Sequence, residues 1–438
     1  MNSARRLPIF NTLHSSRALH ALLFVACATL AACGGGGGGG DSSSSSGSGS
    51  TPSTTSSNNT NSTSASNTSQ STGVPQSNVA NVQPIAVGVS PGMTRNMLTT
   101  SVTICQAGTS NCATIDDIQV DTGSNGLRIL ASALPSNLSL ASVTSNASGG
   151  GVSAECAVFG SGYAWGSIRN ADVRMAGQLA SSIPVQVIAD PALPAAPTDC
   201  ANAGAPLMTV ASLHSNGILG VGLFPVDCGS GCSNLALPRW YYSCTTSGSC
   251  TASAQPIAQQ VTNPVSRFAT DNNGVVIDLP AVADGGAVGV AGSLIFGIGT
   301  QANNTLSGSN VIKANSATGY VTTSSGGQTY ALSYLDSGSN GLFFHSTQFP
   351  MCGFWYCPSA TQTANASITG VDGVSSTVSF GVGNSNTMFA SANNAFNNLA
   401  GNSSQGFGWG LPFFYGKRVY TAIAERNTSA GVGPYYAF

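Results

Sequence analysis

Residues 120–127 read V-D-T-G-S-N-G-L and residues 335–342 read L-D-S-G-S-N-G-L, with Asp121 and Asp336 lying 215 positions apart. Each copy follows a strand-like run, Ile118-Gln119-Val120 in the first and Ser333-Tyr334-Leu335 in the second. A strand ending in Asp, a hydroxyl residue and Gly can turn sharply and project its carboxylate from the strand end, supported by backbone N–H groups. Ser124 and Ser339, three residues on, are spaced to donate to the same carboxylates. If the two loops meet, the carboxylates become neighbours. Like charges that close hold one proton between them. One carboxyl then serves as base toward a water and the other as acid toward a carbonyl. A lone Asp-X-Gly would read more simply as an Asx-turn; two copies, one in each half, favour the chemical reading.

The 438 residues suffice for two domains and a sizeable core. Short Val/Ile/Thr-rich runs separated by Gly, Asn and Ser point to an all-β chain. Strands are expected at Met97–Cys105, Ala113–Val120, Ile168–Met175, Ile183–Ala189, Val275–Leu279 and Gly292–Gly297. Others are expected at Thr329–Leu335, Ser367–Val371, Thr377–Val382 and Arg418–Ala424. Helical periodicity is scarce, and Ser391–Leu399 is its best candidate. Only 6% of residues are charged, and the two lysines, Lys313 and Lys417, are isolated. That excludes the clustered cations a nucleic-acid binder needs.

The first 32 residues read as an export signal: Arg5, Arg6 and Arg17 precede an apolar stretch too short to span a bilayer as a finished helix. It ends in Leu30-Ala31-Ala32-Cys33, which resembles a bacterial lipobox. The resemblance implies cleavage before Cys33, lipid on that residue, and a protein anchored in the cell envelope, most simply at the outer membrane. Residues 33–82 then form a Gly, Ser, Thr and Asn tether without Lys or Arg, expected to be disordered. The folded body is expected to begin near Gln83.

With Cys27 lost in the signal and Cys33 lipidated, ten of twelve cysteines remain, an even number suited to disulfides in an oxidising compartment. Sequence does not fix connectivity. Close spacing favours Cys105–Cys112, Cys228–Cys232, Cys244–Cys250 and Cys352–Cys357, which leaves Cys156 with Cys200. No His sits at ligand spacing beside them, so zinc is not expected. The Asp116-Asp117 pair lies in a strand, where alternation separates the side chains. No metal site is expected there.

Asp-Thr-Gly-Ser and Asp-Ser-Gly-Ser together resemble the two active-site loops of the pepsin-like aspartic peptidases. Further stretches follow in the family's order. Phe159-Gly160-Ser161-Gly162 resembles its flap. Asn216-Gly217-Ile218-Leu219-Gly220-Val221-Gly222-Leu223 resembles the element threading behind the first loop. Gly292–Gly297 resembles the strand opening the second lobe, and Trp409–Phe414 the second-lobe counterpart of the threading element. The resemblance covers residues 84–438. It implies an all-β, bilobal fold with an interlobe cleft, an N-terminal lobe over 83–262 and a C-terminal lobe over 263–438. It also implies a monomeric endopeptidase that needs no cofactor and takes an extended peptide or protein substrate. Asp121 and Asp336 would be catalytic, with Thr122, Gly123, Ser124, Ser337, Gly338 and Ser339 in support.

The chain departs from the family where Phe159 replaces the usual flap Tyr and Arg128 replaces the Trp to which that Tyr bonds. Tyr163 or Trp165 could take over, or Arg128 could stack on a ring. The competing reading is a non-catalytic protein that binds peptides or envelope components in the same cleft; a purely structural surface protein is a third. A Ser/His/Asp hydrolase would need His214 or His345, and the chain has no G-x-S-x-G elbow. Trp409, Phe413 and Phe414 read as core.

Overall fold

The computed structural model describes residues 79–438 apart from 148–149, 246 and 307. The signal, Cys33 and all but the end of the tether lie outside the described residues. Regular pairing begins slightly before the expected start: Asn81 donates its backbone N–H to Ala176 O at 3.0 Å, and β1 spans Val82–Val87. Its residues alternate between half-buried and buried, as a strand with one face on the core must.

The principal strands of the first half are β2 (Leu98–Gln106), β3 (Cys112–Asp121), β4 (Asn125–Leu130), β5 (Val152–Phe159), β6 (Gly162–Met175), β7 (Gln178–Ile188), β8 (Gly217–Val221) and β9 (Tyr241–Cys244). Six of them pair in the order β2–β3–β8–β4–β7–β6, and β6 returns to pair β2, closing a barrel. Closure leaves those strands without a free edge.

The second half carries β10 (Gly274–Leu279), β11 (Val290–Phe296), β12 (Gln328–Leu335), β13 (Leu342–Phe343), β14 (Phe407–Trp409) and β15 (Lys417–Ala422). Strand β1 pairs with β2 on one side and β11 on the other, and β10 joins β11 to β15. One sheet therefore runs across the expected 262/263 boundary. Strands β12–β14 belong to a separate nine-stranded sheet.

All the expected strands form, with ends that differ by up to six residues, the largest difference being the strand expected from Ile168, which begins at Gly162. The expected helix does not. Ser391–Leu399 is irregular, and the neighbouring helix is α1, Ser385–Ala390, N-capped by Asn384. The cause lies in the asparagines. The side-chain amides of Asn393, Asn394, Asn397 and Asn398 donate to the carbonyls of Gly285, Val288, Val282 and Asp284. Short amide side chains here bond neighbouring backbone in a non-helical path.

The Asp116–Asp117 expectation also needs correction. The β2–β3 register shifts between Thr100 and Val102, and Asp117 has a φ of 56°. This bulge breaks the alternation, so both carboxylates are half-buried between buried Ile115 and Ile118. Asp116 accepts from Ser101 Oγ at 2.6 Å. Burial first, and Asp116 second, raise the Asp117 carboxyl above its ordinary value.

One apolar core runs from Ile85 and Val120 to Leu335, Trp409 and Tyr436. Trp409, Phe413 and Phe414 are buried in it. Trp409 stacks on Phe407 at 4.2 Å and donates Nε1–H to Thr323 Oγ1 at 3.0 Å. The four closely spaced pairs form, Cys105–Cys112, Cys228–Cys232, Cys244–Cys250 and Cys352–Cys357, and the remaining two cysteines form Cys156–Cys200.

Candidate active site

The two Asp loops are built alike. Strand β3 ends at Asp121, the chain turns, and β4 leaves from Asn125. Strand β8 runs between these arms, parallel to β3 and antiparallel to β4. In the second copy β14 runs parallel to β12 and antiparallel to β13. A third strand between the arms anchors each turn: Gly222 N donates to Ser124 O at 2.9 Å, and Leu411 N to Ser339 O at 2.7 Å.

The loops meet through a reciprocal exchange. Thr122 Oγ1 donates to Leu335 O at 3.1 Å and accepts from Ser337 N at 2.9 Å. Ser337 Oγ donates to Val120 O at 2.8 Å and accepts from Thr122 N at 3.1 Å. Val120 and Leu335 are the residues that precede the two aspartates. Both hydroxyl residues are buried, so these bonds satisfy groups that water cannot reach.

This exchange brings the carboxyl groups together, close enough for Asp121 and Asp336 to share a hydrogen bond. Asp121 Oδ1 accepts from Gly123 N at 2.7 Å, and Oδ2 from Ser124 Oγ at 2.5 Å. Asp336 Oδ1 accepts from Gly338 N at 2.8 Å and Ser339 N at 3.2 Å, and Oδ2 from Ser339 Oγ at 2.6 Å. Burial first, and the charge of Asp336 second, hold the Asp121 carboxyl well above the usual range. A buried pair of this kind keeps one proton, leaving one carboxyl an acid and the other a base.

The loop glycines are required for a different reason than turn geometry. Neither Gly123 nor Gly338 has a positive φ. A Cβ on Gly123 would lie 2.5 Å from Asp336 Cγ, and one on Gly338 would lie 2.6 Å from Asp121 Oδ1. Each glycine makes room for the opposite carboxylate.

Phe159 and Gly162 pair at the end of the β5–β6 hairpin, with Gly160 and Ser161 as its two-residue turn. Phe159 is partly buried, and its ring centre lies 5.8 Å from Arg128 Cζ. Arg128 is buried and bonded to Glu155 and Asp227. Tyr163 and Trp165 do not take over the polar contact at the tip. Tyr163 packs with Trp165 and Cys156, and Trp165 Nε1 donates to Pro194 O at 3.0 Å. His345 faces Asn402 at 3.1 Å, and His214 closes a short helix with a φ of 64°. The bonds to the carboxyl oxygens of the pair come from Ser, Gly and Asp.

Several residues here escaped the sequence reading. Gln119 donates to Gly338 O at 2.7 Å, a further tie from the first strand to the second loop. Tyr334 and Tyr436 stand near Asp336; burial, and that carboxylate after it, push the Tyr334 hydroxyl up. Glu155, Asp227 and Tyr241 surround Arg128. An arginine inside the apolar run Leu127–Leu130 was the available signal that buried acids must lie nearby.

A family described as "Protein of unknown function (DUF3443)" matches residues 77–438. This chain belongs to the DUF3443 family. The match takes in both Asp loops, the hairpin and all ten disulfide cysteines. No curated protein matches the chain. In this DUF3443 protein the site is therefore read from its own chemistry.

Proposed function

We propose that this DUF3443 protein is a pepsin-like aspartic endopeptidase. On this reading the body is bilobal, with lobes over 83–262 and 263–438, and an extended peptide lies between them above Asp121 and Asp336. The ionised carboxyl takes a proton from a bound water, whose oxygen adds to the scissile carbonyl carbon. The protonated carboxyl gives its proton to the carbonyl oxygen. As the tetrahedral diol collapses and the C–N bond breaks, the carboxyl that took the water's proton gives it to the leaving nitrogen, and a diol hydroxyl returns a proton to the other carboxyl. Ser124 and Ser339 hold the carboxyls in register. Lipid on Cys33 and the 33–82 tether would hold the enzyme at the outer membrane as a monomer.

The observation that carries the reading is the carboxyl pair itself, held by reciprocal Thr122–Ser337 bonds, with burial first and Asp336 second raising the Asp121 carboxyl. Phe159, which lacks the phenol hydroxyl usual at that flap position in the pepsin-like peptidases, favours a second reading, a binding protein that has lost turnover. The two differ in how they treat a peptide carrying a secondary alcohol in place of the scissile carbonyl. A catalytic pair binds that tetrahedral analogue far more tightly than the matching peptide. Calorimetry on the wild type and Asp336→Asn should show the preference, and its loss in the variant. Equal affinity for analogue and peptide would establish the binding reading instead.

A further inference from the structure

A second group of buried charges lies beside the Asp121 loop, and the hydrolytic step does not use it. Arg128 sits on β4, the arm leaving that loop, and is 3% exposed. Its Nη1 donates to Asn125 O at 2.9 Å. Its Nη2 donates to Glu155 Oε1 at 2.6 Å and to Asp227 Oδ2 at 3.3 Å. Glu155 is on β5, is wholly buried, and has its backbone carbonyl bonded by Gln186 of β7. Asp227 Oδ1 accepts from the Tyr241 hydroxyl of β9 at 2.6 Å. That hydroxyl accepts in turn from Val261 N at 2.8 Å. Backbone bonds hold the hairpin at both ends, Tyr241–Cys244 against Val152–Glu155 towards its base and Ala205 and Leu207 against Tyr163 beside its tip. Arg128 adds a side-chain contact to the tip residue, Phe159.

The charges do not balance if every group is ionised. The guanidinium is always protonated, so two carboxylates would leave one buried negative charge unpaired. Such a charge is costly where solvent is excluded. A proton between Glu155 and Asp227 removes the imbalance. Glu155 Oε2 otherwise has no hydrogen-bond partner, although the Asp227 carboxyl is within bonding reach of Glu155. Burial first, and Glu155 second, push Asp227 well above the carboxylate range, against the pull of Arg128 and Tyr241. Arg128, Glu155, Asp227 and Tyr241 are the titratable groups that meet in this cluster.

We infer that Glu155 and Asp227 form a second, proton-holding carboxyl pair that, through Arg128, fastens the β5–β6 hairpin to the Asp121 loop, and that the fastening loosens when the proton leaves. Its bearing on substrate rests on the hydrolase reading above; the fastening itself does not. Arg128 is a positioning residue, since it reaches the carboxyl pair at Asp121 only through its own strand. Hairpin order and the protonated pair at Asp121 then favour the same, acidic side.

The test is amide hydrogen exchange of the full chain from acidic to neutral pH, corrected for the chemical exchange rate. In the wild type, protection of Val152–Met175 should fall as pH rises, approaching about tenfold per pH unit, the limit set by release of one proton. Asp227→Asn removes the second carboxyl and should hold hairpin protection constant. Glu155→Gln serves the same purpose if the first variant does not fold, and the wild-type comparison stands without either. Hairpin protection that is independent of pH in the wild type, or that falls equally in a folded variant, overturns the inference. Exchange does not read catalysis, so the two claims fail separately. Absent peptide cleavage with the expected exchange would leave the fastening intact. Cleavage with a pH-independent hairpin would remove the fastening alone.

Discussion

Thr122 and Ser337 each donate a hydroxyl hydrogen to the carbonyl that precedes the other's aspartate, and each accepts the other's backbone N–H. The two carboxyls are therefore positioned by a single interlocked unit. Removing one hydroxyl strands a buried N–H and a buried carbonyl, which costs about 1–3 kcal/mol. Ser337→Ala and Thr122→Ala should each lower stability by that amount in chemical denaturation. The double variant should lose less than the sum, because both changes break the same exchange.

Gly123→Ala tests the spacing of the pair. The added methyl lands against the Asp336 carboxyl, a carboxylate held by backbone and Ser339 rather than a free chain end. The expected outcome is a folded protein whose carboxyls are forced apart, with any hydrolytic activity lost. Titration of Asp121, followed by carbon-detected NMR, should then move down toward the ordinary carboxylate value. An unmoved titration would show that the close approach of Asp336 does not set it.

Stability should fall as pH rises out of the acidic range. A carboxyl with a raised folded value binds its proton more tightly folded than unfolded. Its contribution is fully present below the ordinary value of about 3.9 and is lost as pH climbs through the raised one. Asp121 and Asp227 both act in this direction. Denaturation of Asp121→Asn across this range should give a shallower pH dependence than the wild type, though not a flat one. An identical slope would remove Asp121 as a source.

The disulfides should contribute unequally. Cys156–Cys200 closes a loop of sequence separation 44, whereas the other four close separations of 4 to 7. By chain entropy the long loop stabilises by about 4 kcal/mol and the short ones by about 2 each. Replacing Cys156 and Cys200 together by Ser should therefore lower the thermal midpoint more than replacing any other pair.

Much of this was legible in the sequence because local chemistry and global position agree. The Asp-hydroxyl-Gly-Ser loops, the strands around them and the disulfide pairs each follow from short patterns. The parts that were not legible depend on partners distant in sequence. At Ser391–Leu399 the apolar spacing fits a helix, but the asparagines find carbonyls in residues 282–288 that no local pattern reveals. The need for Gly123 was legible, yet its cause, a carboxylate from the other half of the chain, was not. Arg128 declared itself as a buried charge, while Glu155 and Asp227 lie 27 and 99 residues away.

The central claim is that Asp121 and Asp336 act as one catalytic unit. Its most direct test is cleavage of a mixed peptide library by the full-length protein from acidic to neutral pH, beside Asp336→Asn. Cleavage greatest on the acidic side and abolished by the variant is the expected result. A folded, fully disulfide-bonded wild type that cleaves nothing at any pH, or a variant that cleaves as well as the wild type, would contradict it.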